Sequence, residues 1–377
     1  MSRRAYLDHA STSPLLPGVA EAMAPWHSAA DPGRVHTEGR MARAALEDAR
    51  ERIAAALGCR AGREVVLTGG ATEAVAMATW GAIRRVPGGA VVAAAVEHSS
   101  VREWAARAGG GVVEPPVDGT GRLCLDDLDL DGVALVNVQW GNHEVGTLQP
   151  VAEVVAAARR AGALVHVDAS QAAGRVPIDF AALDADLLSV SGHRLGGPRG
   201  TGALLVRRGL RLEPLLVGGA QERARRAGLE NVAGAVGLAA ALEHHDPAAE
   251  EARQHELAER LLVGSAALAG VRRYTPAARL PHIACLGLEG IEAEPVLLGL
   301  DQAGVAVHSG SSCSSELLEP SPVLAAMGVD SERSLRASVG WSTTEEDITA
   351  FLEALPQVLA SLRSLGRGST GADRCEG

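Results

Sequence analysis

A chain of 377 residues with 47% hydrophobic but only 2% aromatic content must build its core from Ala, Val and Leu, and it is long enough for one large domain or two smaller ones. A net charge of −11 argues against nucleic acid as a main partner, and no apolar run is long enough to cross a membrane. The five cysteines are scattered without C-x-x-C spacing and the first residues carry no apolar signal core, so the expectation is a cytoplasmic protein with no disulfide scaffold and no metal site.

Helical and extended patterns alternate along the chain. Apolar residues at helical spacing run from Arg40 to Leu57, and Glu64–Thr68 is a short strand whose end, Gly69-Gly-Ala-Thr-Glu73, opens a helix. Ala90–Ala95 predicts a strand followed by a helix over Ser99–Ala108, and Val133–Val138 a strand before the helix Val151–Ala161. Leu164–Val167, Leu187–Val190 and Gly202–Val206 continue the series. Such runs alternating with helices indicate an α/β fold with a mostly parallel sheet covered on both faces, and chemistry at the carboxyl ends of its strands. From His245 the pattern changes to a charged helix, Ala248–Leu268, shorter elements and a closing helix, Thr344–Leu365. The expected organisation is a large domain over 16–245, a smaller α+β domain from 1–15 with 246–365, and a disordered tail over 366–377.

Several segments could carry chemistry. The glycines before Ala71 and Thr72 let a backbone approach an anion at a helix N-terminus; a simple capped turn reads the same way. Asp168 directly follows a buried strand, where it either caps a helix or pairs with a cation such as a protonated pyridine nitrogen. His98 ends another strand, and Asn142-His-Glu-Val-Gly146 either lines a cleft or forms a turn. Cys313 sits among Ser and Gly, as a nucleophile on an exposed loop would, or an inert thiol. Arg336 lies among apolar residues, where an arginine commonly binds a carboxylate bidentately.

Taken in order, these segments resemble the class V aminotransferases of pyridoxal phosphate fold type I, and among them the cysteine desulfurases. The resemblance rests on Tyr6-Leu-Asp-His-Ala-Ser-Thr-Ser-Pro14, Arg34-Val-His-Thr-Glu-Gly-Arg40, Gly69-Gly-Ala-Thr-Glu73 and Glu97-His98. It continues through Gly141-Asn-His-Glu-Val-Gly-Thr-Leu-Gln-Pro150, His166-Val-Asp-Ala-Ser-Gln171 and Ser191-Gly-His-Arg-Leu-Gly-Gly-Pro-Arg-Gly200, and ends with Gly228-Leu-Glu-Asn231 and Ser309-Gly-Ser-Ser-Cys-Ser-Ser315. It implies a seven-stranded, mostly parallel sheet in the large domain. His98 would stack on the pyridoxal ring, Asp168 pair with its nitrogen, and Gln171 and Asn142 lie near its hydroxyl. Ala71, Thr72, Ser191 and His193 would hold the phosphate. Arg336 and Asn142 would receive the carboxylate of cysteine, and Cys313 would take its sulfur as a persulfide for an acceptor protein. A homodimer is implied, with no nucleic acid and no membrane.

The pattern breaks at Arg194, the position of the family's Schiff-base lysine. All 35 residues of the Lys+Arg total are Arg, so the chain has no lysine at all. A guanidinium stays protonated and is a poor nucleophile. Leu229 stands where a hydroxyl residue is usual, and Gly69 and His143 also depart from the commonest pattern. Three readings follow: a desulfurase that holds pyridoxal phosphate noncovalently with His98 or another base moving protons, a silent scaffold or sulfur-relay relative, or different chemistry with Arg194 binding an anion. Loss of every lysine suggests that amines are excluded, either beside a species that modifies them or by engineering.

Overall fold

The computed structural model describes residues 4–126, 128–309 and 320–369. Its centre is a seven-stranded sheet with the spatial order Val65–Thr68, Gly202–Val206, Leu187–Ser191, Leu164–Asp168, Val133–Gln139, Ala90–Val92, Val112–Val113. Gly202–Val206 runs antiparallel to both neighbours, and all other pairings are parallel.

Alternate residues of these strands enter two different cores, as the period-2 pleat requires. Val65, Val136, Val167 and Val190 pack under the helices Thr37–Ala56, Val151–Ala161 and Val232–His244. Val66, Leu135, Leu187 and Leu204 pack under Ala71–Arg85. Both faces are covered, which is why the strands read as unbroken Val/Leu/Ala runs.

A second sheet has its own core. Its strands are His308–Ser309, Ser334–Ser338, Ile283–Leu288 and Val271–Arg273 in spatial order, all antiparallel, packed with Leu257, Leu261, Phe351 and Leu355 from the helices Pro247–Ala266 and Glu345–Ser369. The N-terminal strand Ala5–Tyr6 pairs parallel with Val305–Ala306, and Asp8 bridges to Ser338, so the chain start joins this second unit. The last helix extends to Ser369, into the segment expected to be a disordered tail. Asp246, expected to open the smaller domain, caps the helix that follows it.

The register brings four strand ends together. Thr68 faces Gly202, Gly202 faces Ser191, Ser189 faces Asp168, and Asp168 faces Gln139. The carboxyl ends of the strands ending at Thr68, Gln139, Asp168 and Ser191 thus share one edge, where the following loops build the site.

Candidate active site

A cavity of about 530 Å³ opens at that edge. One wall is the start of the helix Ala71–Arg85. Gly70 has φ 152°, a conformation closed to side chains, and a Cβ on Gly202 would lie 2.8 Å from the Gly70 backbone. These two glycines let the strand end and the helix start meet, leaving first-turn N–H groups without intrahelical partners. Thr72 and Ser191 line the cavity beside them. Glu73 lies here as well. Its carboxylate accepts from the Gly69 N–H at 2.7 Å and from Arg226 Nε at 2.8 Å, so its charge is compensated at the mouth of an anion cradle.

Asp168 also lines the cavity. Its Oδ1 accepts from the Ser170 N–H at 2.9 Å, the Ser170 hydroxyl at 2.5 Å and the Ser189 hydroxyl at 3.2 Å, while Oδ2 has no hydrogen bond to any described residue. One oxygen is thus fixed, leaving the other for a cationic ligand nitrogen. His166, on the same face of the same strand, is fully buried, with Nδ1 2.9 Å from Asn137 Oδ1 and Nε2 without a partner. Burial lowers its pKa to about 4 although Asp168 opposes the shift, so it stays neutral beneath the carboxylate. Glu97 is a second buried carboxyl nearby. Its Oε1 accepts from the Gln139 N–H at 2.9 Å, and burial, with a smaller push from Asp168, raises its pKa to about 8.

His98 lines the cavity and caps the helix Ser99–Ala105. Its Nδ1 accepts from the Ser100 N–H at 3.1 Å and lies 2.8 Å from the Ser100 hydroxyl. His143 lines it too, edge-on to His98 with ring centroids 5.4 Å apart. His193 stands by Arg194, and burial together with Arg194, Arg199 and Arg175 lowers its pKa to about 4. Gln171 reaches the cavity while its Nε2 donates to Ala10 O at 2.9 Å and its Oε1 lies 3.0 Å from His282 Nε2. Arg194 is on the wall, at the end of a turn held from behind by Arg175, whose guanidinium donates to Arg194 O at 2.5 Å.

Two expected residues are placed differently. Asn142 is fully buried behind the cavity: its Oδ1 accepts from the N–H groups of Glu144 and Val145, and its Nδ2 donates to Val96 O at 3.1 Å. Its amide shapes the loop rather than lining the wall. Arg336 is only 1% exposed, with Nη1 on His143 O at 2.9 Å and Nη2 3.0 Å from Asp8 Oδ1, an acid that sequence reading did not pair with it. Cys313 lies outside the described residues. Arg175 and Glu97 were missed as site neighbours. Arg175 looks like an ordinary loop arginine in sequence, and nothing local marks it as buried.

The donor set fits a phosphorylated pyridine: an anion cradle and a carboxylate oxygen without a partner face one cavity. It does not fit covalent attachment, because the chain has no lysine. Among the described residues no group of three His, Cys, Asp or Glu is arranged to hold a metal ion, and no helix is long and apolar enough to cross a membrane.

Fold and cavity together define a pyridoxal phosphate fold type I protein. The family model for class V aminotransferases matches residues 5–351. The IscS-like cysteine desulfurase of Mycobacterium tuberculosis is 39% identical, the alignment covering 98% of this chain and 100% of that one. The cysteine desulfurase IscS of Methanosarcina thermophila is 37% identical over 97% of this chain and 94% of its own. A solved NifS-like protein superposes with a TM-score of 0.88 at 29% identity, covering 95% of this chain and all of that one. The chain belongs to the class V aminotransferase family and, within it, to the cysteine desulfurases.

Proposed function

We propose that this protein mobilises sulfur from L-cysteine as a persulfide on Cys313, for transfer to an acceptor protein, with pyridoxal phosphate held by noncovalent contacts alone. The observation that carries the reading is a cavity that keeps an anion cradle and a carboxylate with one uncommitted oxygen, in a chain without a single lysine.

In this reading the Ala71 and Thr72 N–H groups, the Ser191 hydroxyl and His193 hold the phosphate. Asp168 Oδ2 pairs with the ring nitrogen, His98 stacks on the ring, and Gln171 borders its hydroxyl edge. Asn142 acts through the loop it braces. Arg336 binds the substrate carboxylate. When bound, pyridoxal phosphate supplies an electron-withdrawing ring that stabilises negative charge at the amino-acid carbon. Arg194 keeps its proton, so it can donate hydrogen bonds to oxygen atoms in the cavity but cannot exchange a covalent bond with substrate. The protein works as a cytoplasmic homodimer. The absence of lysine fits a pathway whose intermediates react with amines. A version with surface lysines restored should gain mass beside its partners when the present chain does not.

The second reading, a silent scaffold or sulfur-relay partner, is favoured by Arg194 itself. The deciding experiment is absorbance of the protein and of Arg194→Lys with excess pyridoxal phosphate, followed by borohydride reduction and intact mass. The reading expects saturable binding by the native chain, a visible band and a reducible adduct at residue 194 only in the variant, and alanine and sulfide from cysteine that vanish in Cys313→Ala. Binding without alanine selects the scaffold. No binding by either protein overturns the cofactor reading.

A further inference from the structure

Only 2% of this chain is aromatic, and five of those residues are tryptophan. A tryptophan seeks a place to bury about 150–250 Å² of mostly apolar surface. Trp26, Trp140 and Trp341 find it against the core of the large sheet. Trp104 is half-buried, yet among the described residues it packs on none of the three cores. It lines the cavity instead.

The helix Ser99–Ala105 presents it there. Ser100 and Trp104 are four residues apart on one face of that helix, and both line the cavity. The indole stands at the mouth. Thr72, His98, Ser100 and Trp104 also line an outer depression of about 350 Å³, so they form the rim between the two spaces. The Arg107 guanidinium lies 5.5 Å from the Trp104 ring centroid, and its Nη1 is 3.5 Å from Glu103 Oε2. This stack orients the indole before any ligand arrives. Among the described lining residues the only aliphatic side chains are those of Ala71 and Ala76, so Trp104 is the one large apolar surface on the wall.

We propose that Trp104 is a cofactor-holding residue: its indole packs on pyridoxal phosphate at the mouth of the cavity and supplies part of the retention that a covalent bond to lysine would otherwise give. The inference rests on the noncovalent pyridoxal phosphate reading above. A cradle that takes the phosphate and a carboxylate that takes a cationic nitrogen hold a ligand by its polar groups, and neither recognises its apolar ring surface. An indole does, by removing apolar area from water and by ring–ring contact. The site therefore selects a phosphorylated aromatic ring over a bare phosphate.

The test uses the native chain, Trp104→Phe and Trp104→Ala. Affinity for pyridoxal phosphate is measured by absorbance titration, and affinity for inorganic phosphate by its competition with the cofactor. The native chain and Trp104→Phe are also labelled with fluorotryptophan, and the 19F resonance missing from the variant identifies Trp104 among the five. Trp104→Ala should weaken cofactor binding about 10- to 30-fold and Trp104→Phe about 2- to 3-fold, while inorganic phosphate binds all three proteins alike. The Trp104 resonance should shift when the native chain takes up cofactor. Native cofactor affinity in Trp104→Ala, or an unmoved Trp104 resonance at saturating cofactor, overturns the assignment and leaves cofactor holding intact. So does equal weakening of cofactor and phosphate in Trp104→Ala, which marks a distorted cradle. A native chain that does not bind cofactor removes both readings.

Discussion

Nη2 of Arg336 lies 3.0 Å from Asp8 Oδ1, and this contact between a buried guanidinium and a half-buried carboxylate ties the N-terminal segment to the strand Ser334–Ser338. A substrate carboxylate that reaches Arg336 must share the guanidinium with Asp8. Asp8→Asn should therefore tighten binding of L-cysteine or L-alanine by about 5–10-fold, measured by calorimetry with cofactor present. The same variant should melt earlier without ligand, because a buried guanidinium loses the negative charge of Asp8. Weaker amino-acid binding would instead mean that Asp8 orients Arg336.

Asp168→Asn separates geometry from charge. The amide oxygen can still accept from Ser170 and Ser189, so the strand end should keep its shape. The charge facing the cavity is lost. Affinity for pyridoxal phosphate should drop about 30- to 100-fold, the worth of a charge-assisted hydrogen bond, with little change in melting temperature. Unchanged affinity would dissociate Asp168 from the ring nitrogen.

Glu97 gives the fold a pH signature. Burial raises its carboxyl from 4.5 to about 8, so between those values the folded state holds a proton that the unfolded chain has lost. Its contribution is fully present below pH 4.5 and is lost as pH rises through 8. Glu97→Gln removes the titration. The melting temperature of the variant relative to the native chain should climb by about 2–4 °C between pH 5 and pH 9. A constant difference across that range would place the Glu97 titration elsewhere.

Arg50 and Glu222 form a buried ion pair at 2.5 Å, and Glu222 also accepts from the Leu67 N–H at 3.1 Å. Glu222, Arg223 and Ala224 all have positive φ, at 48°, 57° and 59°, so the pair holds a strained turn against the first strand of the large sheet. Arg50→Met should cost about 3–5 kcal/mol in denaturant unfolding by stranding the carboxylate. Adding Glu222→Gln keeps the Leu67 bond without the charge and should recover more than half of that loss.

Much of the site was legible before any coordinates. Period and composition place five strands of the large sheet within a residue and overrun Ala90–Val92 by three, and the glycines of 69–70, Asp168, Ser191, His193 and Arg194 do meet at one cavity. What escaped was long-range pairing. The antiparallel direction of Gly202–Val206 leaves no mark on an apolar run. Asp8 is 328 residues from Arg336, and Arg175 reaches Arg194 O across a turn.

The sequence by itself determined the chemistry available: the absence of lysine, the small residues that admit an anion, the alternation that makes a covered parallel sheet. Each is a property of residue type or of near neighbours along the chain. Tertiary structure alone decided which groups remain uncommitted. Whether a carboxylate or imidazole is available to a ligand depends on the donors, acceptors and burial that distant segments bring to it, and those give Asp168 an open oxygen and occupy His98 Nδ1.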